Sequence, residues 1–135
     1  MRKWACAAAA AAGLTGAGGI ILAAAAAHGV PDPRLHTAAN FLLLHAAATL
    51  SVCGLALAVP QRGMWFLGAA GLFLAGSLLF GGDLSARVLA GARLFPMAAP
   101  LGGTLLIFGW ALVTLAALMV IRQSRDGKLD QNIDD

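Results

Sequence analysis

The sequence predicts an all-α fold, an integral membrane bundle of four transmembrane helices. The first observation is composition: 60% of the 135 residues are hydrophobic and 11% are charged. A soluble domain is about 45–50% apolar and about 25% charged. The second is that the apolar residues gather in four segments of the length that a bilayer requires, about 20 residues. The third is that every charge lies outside these segments. This composition excludes a soluble globular domain, a disordered chain and a nucleic-acid binder.

The four predicted spans are residues 5–27, 37–58, 64–80 and 101–121. None contains Asp, Lys or Arg, each of which costs about 2.5–3.5 kcal/mol at the centre of an inserted helix. Backbone groups in hydrocarbon must be satisfied within the segment, so each span is a helix. The apolar residues do not alternate with polar ones as they do in a barrel strand. Residues 1–121 therefore form one transmembrane domain, and the polar residues 122–135 form a tail that we expect to be mobile and cytoplasmic.

Proline and glycine mark the ends of the spans. Residues 29–33 contain one glycine and two prolines, which end the first helix. The turn at 60–63 is short enough to make the second and third helices antiparallel neighbours. Residues 81–83 are expected to end the third helix. Pro100 precedes the fourth span, where proline is tolerated in the first helical turn.

The third connection, residues 81–100, is the longest. Asp83 and Arg87 have the spacing of an i,i+4 ion pair. Two interpretations remain open, a short interfacial helix before the fourth span and an irregular loop. The helical spacing that favours the first is that of Leu84, Val88, Ala92 and Phe95.

The distribution of basic residues predicts the orientation. Of the nine Lys and Arg residues, six flank the termini and the second connection, and three lie in the first and third connections. The positive-inside rule then predicts that both termini are cytoplasmic. We expect the membrane to be a bacterial plasma (inner) membrane. The basic pI of about 9.5 follows from this topology, and nucleic acid is not an expected partner.

A cleavable signal peptide is the alternative for the first span. Arg2 and Lys3 precede an apolar run that ends with Ala25-Ala26-Ala27 before His28. The apolar region of a signal peptide is about 7–15 residues, and this run is longer. We therefore expect the first span to be retained.

Polar residues within the spans are the default functional candidates. His45 lies roughly 12 Å below Thr37, and Trp110 lies roughly 13–14 Å below Leu101, so the two share a depth. Asn40 is the other candidate in the second span. We expect His45, Trp110 and the glycine-rich part of the first span to form an intramembrane polar contact. His45 either hydrogen-bonds a helix and stabilises the bundle, or takes part in proton transfer or ligand binding.

Small residues at helical spacing indicate close helix packing. Gly16 and Gly19 in the first span and Gly71 and Ala75 in the third are the expected contact positions. The sequence offers no catalytic residue, no cofactor site and no metal site, because its histidines differ in depth and no set of three or four ligands converges.

The chain resembles a known family. The matching segments are Ala27-His28-Gly29, residues 38–45, residues 76–78, Pro100-Leu101-Gly102-Gly103 and Gly109-Trp110. They are similar to the domain of unknown function 423, small four-helix membrane proteins whose eukaryotic members are called transmembrane protein 256. The resemblance implies an integral membrane protein and carries over the motif positions His28, Gly29, Pro100, Gly102 and Gly103. It implies no catalytic residue.

Spans without charged residues and short loops favour a non-enzymatic accessory or structural subunit of a membrane complex. The expected partners are the lipid bilayer and other membrane subunits or further copies of the chain. The alternative is an oligomeric small transporter or channel that uses the polar residues around His45. An enzyme acting on a lipid or quinone is the least favoured function, since the spans contain no acidic or paired titratable groups.

Overall fold

A computed structural model describes residues 1–29 and 31–131 of the chain, with side chains up to residue 123. Its four long helices are α1 (Arg2–His28), α2 (Pro33–Ala58), α3 (Gly63–Leu89) and α4 (Ala98–Gln131), and a 3-10 turn at Pro60–Arg62 joins α2 to α3. All four helices are long and apolar enough to cross a membrane. The predicted all-α fold with four spans is confirmed, and the described residues contain no strand.

Helix α3 lies at the centre of the bundle. It packs against α2 and α4 and more lightly against α1, which in turn packs against α2. Met1 lies beside Gly63, and Val120 and Gln123 of α4 lie beside Val59 and Gln61. We call this the tail end of the bundle. The opposite, loop end carries the start of α2 and the connection between α3 and α4.

The interior is built from small side chains, and many large apolar ones face outward. Ala38, Ala56, Ala69 and Ala70 are fully buried, whereas Leu14 is 77% exposed. Such a surface is unfavourable in water and suits a lipid solvent, in which helices associate through close packing of small residues. One core cluster draws on all four helices, with Ala5 from α1, Val52, Cys53 and Ala56 from α2, Phe66, Ala70 and Phe73 from α3, and Leu106 and Ala116 from α4.

The start of α2 is a capped helix terminus. The Asp32 side chain accepts a hydrogen bond from the backbone N–H of Arg34, and Pro33 occupies the first helical position. The Arg34 guanidinium also donates to the same carboxylate. This hydrogen bonding holds the pKa of Asp32 below its ordinary value. Helix α1 ends at His28 with Gly29 as its C-cap, and the Asp32 cap then begins α2.

The predicted end of the third helix at residues 81–83 is wrong, because α3 continues to Leu89. Glycine within a helix costs only about 1 kcal/mol relative to alanine, which tertiary contacts can outweigh. A Cβ at Gly81 would lie 3.0 Å from Cγ of Leu42. This glycine permits close packing of α2 on α3 and does not break the helix. The chain leaves the helix at Ala90, and Gly91 follows with a φ of +66°, a conformation that favours glycine.

The connection between α3 and α4 is an irregular segment of residues 90–97, so the separate interfacial helix is not formed in this described segment. The helical spacing at Leu84 and Val88 belongs instead to the last turns of α3. Beyond them the chain folds back, and the backbone N–H of Leu94 donates to Oδ1 of Asp83 at 3.0 Å. The predicted pair of Asp83 and Arg87 is confirmed, with Arg87 Nε 2.8 Å from Oδ2. Asp83 is completely buried and so fixes the loop to the helix.

We expect Asp83→Ala to destabilise the loop end of the bundle. The substitution leaves the Leu94 N–H and the Arg87 guanidinium without their shared acceptor, and it should lower Tm by roughly 5–10 °C. Asp83→Asn keeps an oxygen for the Leu94 N–H and removes only the charge, so its effect should be intermediate. Thermal unfolding in a mild detergent checks the order. Equal Tm values for all three proteins would contradict the role given to Asp83.

Helix α4 extends well past the predicted end of its span at residue 121 and reaches Gln131. A helix of 34 residues is about 51 Å long, whereas the hydrocarbon core is about 30 Å thick. The polar residues 122–131 therefore continue the helix beyond the membrane at the tail end. The mobility of the tail stays a prediction, and residues 132–135 lie outside the described residues.

Candidate functional site

His45 lies at the middle of α2 and is 3% exposed. Its Nδ1 is 2.9 Å from the backbone oxygen of Phe41, one helical turn earlier. A carbonyl oxygen only accepts hydrogen bonds, so Nδ1 carries the proton and donates. In the neutral tautomer with the proton on Nδ1, Nε2 is an unprotonated acceptor.

Aromatic rings from three helices surround the imidazole. Its ring centroid lies 5.7 Å from that of Phe41, 5.5 Å from that of Phe73 and 6.3 Å from that of Trp110. Phe80 extends the cluster through a ring contact of 4.5 Å with Phe41. These separations are typical of favourable aromatic pairs. Ring packing therefore fixes the orientation of His45 between α2, α3 and α4.

A groove of about 450 Å³ runs between α2 and α4 over this cluster. It is lined by Phe41, Leu44, His45, Phe80, Gly103, Leu106, Ile107 and Trp110. His45 lines this groove, and its Nε2 atom accepts no hydrogen bond from the described residues. The groove thus combines aromatic walls with one hydrogen-bond acceptor at the depth of the bilayer centre. We call it the His45 groove.

The structure brings together two of the three predicted polar residues. His45 and Trp110 meet edge to face, through their rings and not through a hydrogen bond. Asn40 is exposed, since five residues of helix place it about 140° around α2 from His45. The glycines of α1 also lie away from this site, because Gly16 lies beside Ala46, and Gly19 beside Leu43. His45 therefore joins the helices through ring packing. The intramembrane polar contact that the sequence suggested includes neither Asn40 nor the glycines of α1.

The buried hydroxyl groups are satisfied within their own helices. Thr15 donates to Ala11 O, Thr49 to His45 O, and Ser77 to Leu74 O. Such bonds satisfy the hydroxyl where no water is available. Thr104 is exposed and donates to Pro100 O. Among the described residues these groups do not join into a polar path across the bundle.

The motif glycine Gly102 lies at a close contact between α3 and α4. A Cβ at Gly102 would lie 2.5 Å from the backbone N of Phe80 and 2.8 Å from the backbone O of Gly76. A Cβ at Gly76 would in turn lie 2.8 Å from the backbone O of Gly102. Its neighbour Gly103 meets nothing within 4 Å and lines the His45 groove. The two motif glycines therefore have different roles, one in packing and one in leaving the groove open.

The remaining predicted positions divide into packed and exposed ones. Gly19 lies close against Leu43, whereas Gly71 and Ala75 are exposed on α3. His28 is exposed at the end of α1, and Gly29 donates its N–H to Ala25 O. Pro100 lies in the first turn of α4. Within the part of the chain that the structure describes, no group of three or more His, Cys, Asp or Glu could hold a metal.

Sequence reasoning missed the aromatic walls of the groove and two packing glycines. The sequence does contain a spacing signal for the aromatic residues around His45. Phe41 is one turn before His45, and Phe73 and Phe80 are seven residues apart on one face of α3. Gly109 lies against the ring of Phe73, and it is seven residues after Gly102. That spacing on α4 indicates a contact face, but only the structure identifies Gly76 as its partner.

Comparison with known proteins agrees with this architecture. Residues 22–103 match the model of the family described as "Protein of unknown function (DUF423)". The UPF0382 inner membrane protein YgdD of Escherichia coli (strain K12) is 34% identical over 76 residues, 56% of this chain and 58% of that protein. The same protein from Shigella flexneri matches equally. The match spans less than two thirds of the length of these relatives, and no solved structure matches the chain.

The relatives are named as inner membrane proteins, and the chain has four helices able to span a membrane. Together these findings place it in the inner membrane as a multi-pass protein. The family match covers more than half of the chain and includes the glycines at the crossing of α3 and α4 and the imidazole of the groove. The chain belongs to the DUF423 family of membrane proteins.

Proposed function

We propose that this chain is a non-enzymatic accessory subunit of a larger membrane complex, with both termini in the cytoplasm. The observation that carries the proposal is a small-residue face of α3 that the bundle itself leaves uncovered. Gly71 has no atom within 4 Å of the position of a Cβ, and Ala75, one turn later, is exposed. In a membrane such faces allow another helix to approach closely.

The surroundings of this face support helix docking. A groove of about 400 Å³ lies beside it between α1 and α3, lined in part by Trp4, Met64 and Gly68. The predicted contact positions of α1 behave differently, because Gly16 lies against Ala46 of α2 and Gly19 against Leu43 of α2. One small face is therefore used within the bundle, and the equivalent face on α3 is available to a partner subunit.

The transporter alternative has less support. A solute path needs polar side chains that face a common space. Asn40 and Thr104 are exposed on the outside of the bundle, and Thr15 is bonded within α1. These positions do not converge on His45 in a single chain, so an accessory role suits the arrangement better.

We expect Gly71→Leu combined with Ala75→Leu to release the partner subunit and to leave the fold intact. The two side chains would fill the face that the partner helix approaches, while the described neighbours leave room for them. Affinity purification from native membranes in a mild detergent should recover a stoichiometric partner with the native chain and lose it with the double variant.

The matched control is Gly54→Leu, since Gly54 is also exposed and also meets nothing within 4 Å, but lies on α2. This variant should retain the partner. Recovery of a native chain without any stoichiometric partner in several detergents would count against the accessory role. Equal loss of the partner in both variants would remove the α3 face from the proposal.

A further inference from the structure

We propose that the His45 groove binds a flat hydroxyaromatic molecule with an alkyl tail, a lipid-soluble phenol or hydroquinone, whose hydroxyl group donates a hydrogen bond to His45 Nε2. This inference does not depend on the accessory role. Its basis is a buried imidazole that is 3% exposed and lines the groove, with one nitrogen bonded to the backbone and the other without a partner among the described residues.

The hydrogen-bond chemistry selects a donor. Nδ1 donates to Phe41 O over 2.9 Å, so the neutral imidazole offers only a lone pair at Nε2. No described side chain donates to this atom. The hydroxyl of Thr49, one turn later on α2, donates to the backbone oxygen of His45 instead. Hydrocarbon supplies no donor to an acceptor at this depth, so a ligand that brings an N–H or O–H gains a hydrogen bond that lipid cannot offer. A ketone, an ether or an ester cannot do so.

The walls select a flat ring. Phe41 of α2, Phe80 of α3 and Trp110 of α4 all line the groove, and Phe80 contacts Phe41 with a centroid distance of 4.5 Å. Aromatic walls favour an aromatic guest through stacked and edge-to-face contacts. Gly103 has no side chain and keeps the wall of α4 open at this level. The volume of about 450 Å³ holds a substituted ring together with part of a tail.

The depth selects a molecule without a charged or strongly polar headgroup. His45 lies at the middle of α2, far from either interface. A phospholipid headgroup stays at the interface because burying it in hydrocarbon is costly. A neutral phenol has a single hydroxyl group and can enter from the lipid side, where Leu44 and Ile107 are exposed at 57% and 70%. These exposed side chains provide a matching surface for its tail.

The test uses Trp110 as the reporter. Trp4→Phe and Trp65→Phe leave it as the single tryptophan, and the protein is reconstituted in phosphatidylcholine vesicles. The probes are 3-bromo-4-octylphenol, its methyl ether and the corresponding cyclohexanol, whose bromine quenches nearby tryptophan fluorescence. We expect saturable quenching, with the phenol binding roughly tenfold more tightly than the ether, as one hydrogen bond implies. The cyclohexanol should bind more weakly than the phenol because it lacks the flat ring.

His45→Phe keeps a ring in the aromatic cluster and removes the acceptor, so the phenol and the ether should bind this variant equally. His36→Phe, on an exposed position of α2, should keep the native preference. A second measurement uses the unaltered histidine: in protein with ¹⁵N-labelled histidine, the phenol should shift the Nε2 resonance of His45, and the ether should not. This measurement remains informative if His45→Phe fails to fold.

Equal affinity of the native groove for the phenol and the ether would overturn the proposal, as would an Nε2 resonance that the phenol leaves unchanged. Quenching that does not saturate with any probe would also overturn it, because the groove would then be filled by acyl chains or covered by the helix of another subunit. Loss of the partner through Gly71→Leu has no bearing on these outcomes, so the two proposals fail independently.

Discussion

Gly102→Ala should destabilise the bundle by about 3 kcal/mol, the upper part of the range for overpacking. The added Cβ would lie 2.5 Å from the backbone N of Phe80 and 2.8 Å from the backbone O of Gly76. Neither atom is at the end of a flexible side chain, so α4 must move away from α3 as a whole. The expected result is separation of these two helices at lower denaturant than in the native protein.

The adjacent motif glycine supplies the control. Gly103→Ala adds the same methyl group where nothing lies within 4 Å, and its effect on the free energy of unfolding should be within about 0.5 kcal/mol. Unfolding by sodium dodecyl sulfate in mixed micelles, followed through Trp110 fluorescence in the single-tryptophan background, measures both. If the two substitutions had equal effects, the close approach of α3 and α4 would be wrong.

Phe73→Ala should destabilise the protein by about 3–5 kcal/mol, as truncation of a buried phenylalanine does. Phe73 has no exposed surface and belongs to the core cluster that joins all four helices. Its ring contacts His45 and Trp110, and Gly109 lies directly against it. In lipid the loss comes mainly from missing van der Waals contacts around the cavity, because the hydrophobic effect does not act between helices there.

Phe108→Ala is the matched control for this substitution. Phe108 is 60% exposed on α4, so lipid fills the space that its ring leaves. Unfolding in the same mixed micelles should therefore show only a small change for Phe108→Ala and a large one for Phe73→Ala. A small effect at Phe73 would mean that α2, α3 and α4 do not meet at its ring.

Much of the fold is predictable because the bilayer imposes simple constraints. Segments of about 20 apolar residues must be helices, and short turns such as Pro60–Arg62 must join antiparallel neighbours. The pairing of Asp83 and Arg87 was predictable for the same local reason, since four residues bring two side chains together on one helix. The end of α3 was not predictable. Gly81 and Gly82 have the composition of a helix stop, but in the structure they lie within the helix, against Leu42 and Leu94.

The site was only partly predictable. The equal depth of His45 and Trp110 follows from the rise per residue, and the structure places their rings in contact. Depth along the helix axis does not show which face of each helix points into the bundle, so residues at one depth need not meet. Asn40 is therefore on the outside, and the wall of the groove is formed by phenylalanines that ordinary composition does not distinguish from lipid-facing ones.

The sequence by itself determined the membrane class, the number of spans, the family and the one histidine at the centre of the bilayer. These properties depend on composition and on distance along a helix axis. The tertiary structure alone decided that Gly102 meets Gly76, that Gly71 and Ala75 remain uncovered, and that His45 lines an aromatic groove. Rotation about the helix axes sets these contacts, and in a chain that is apolar on every face no hydrophobic stripe specifies that rotation.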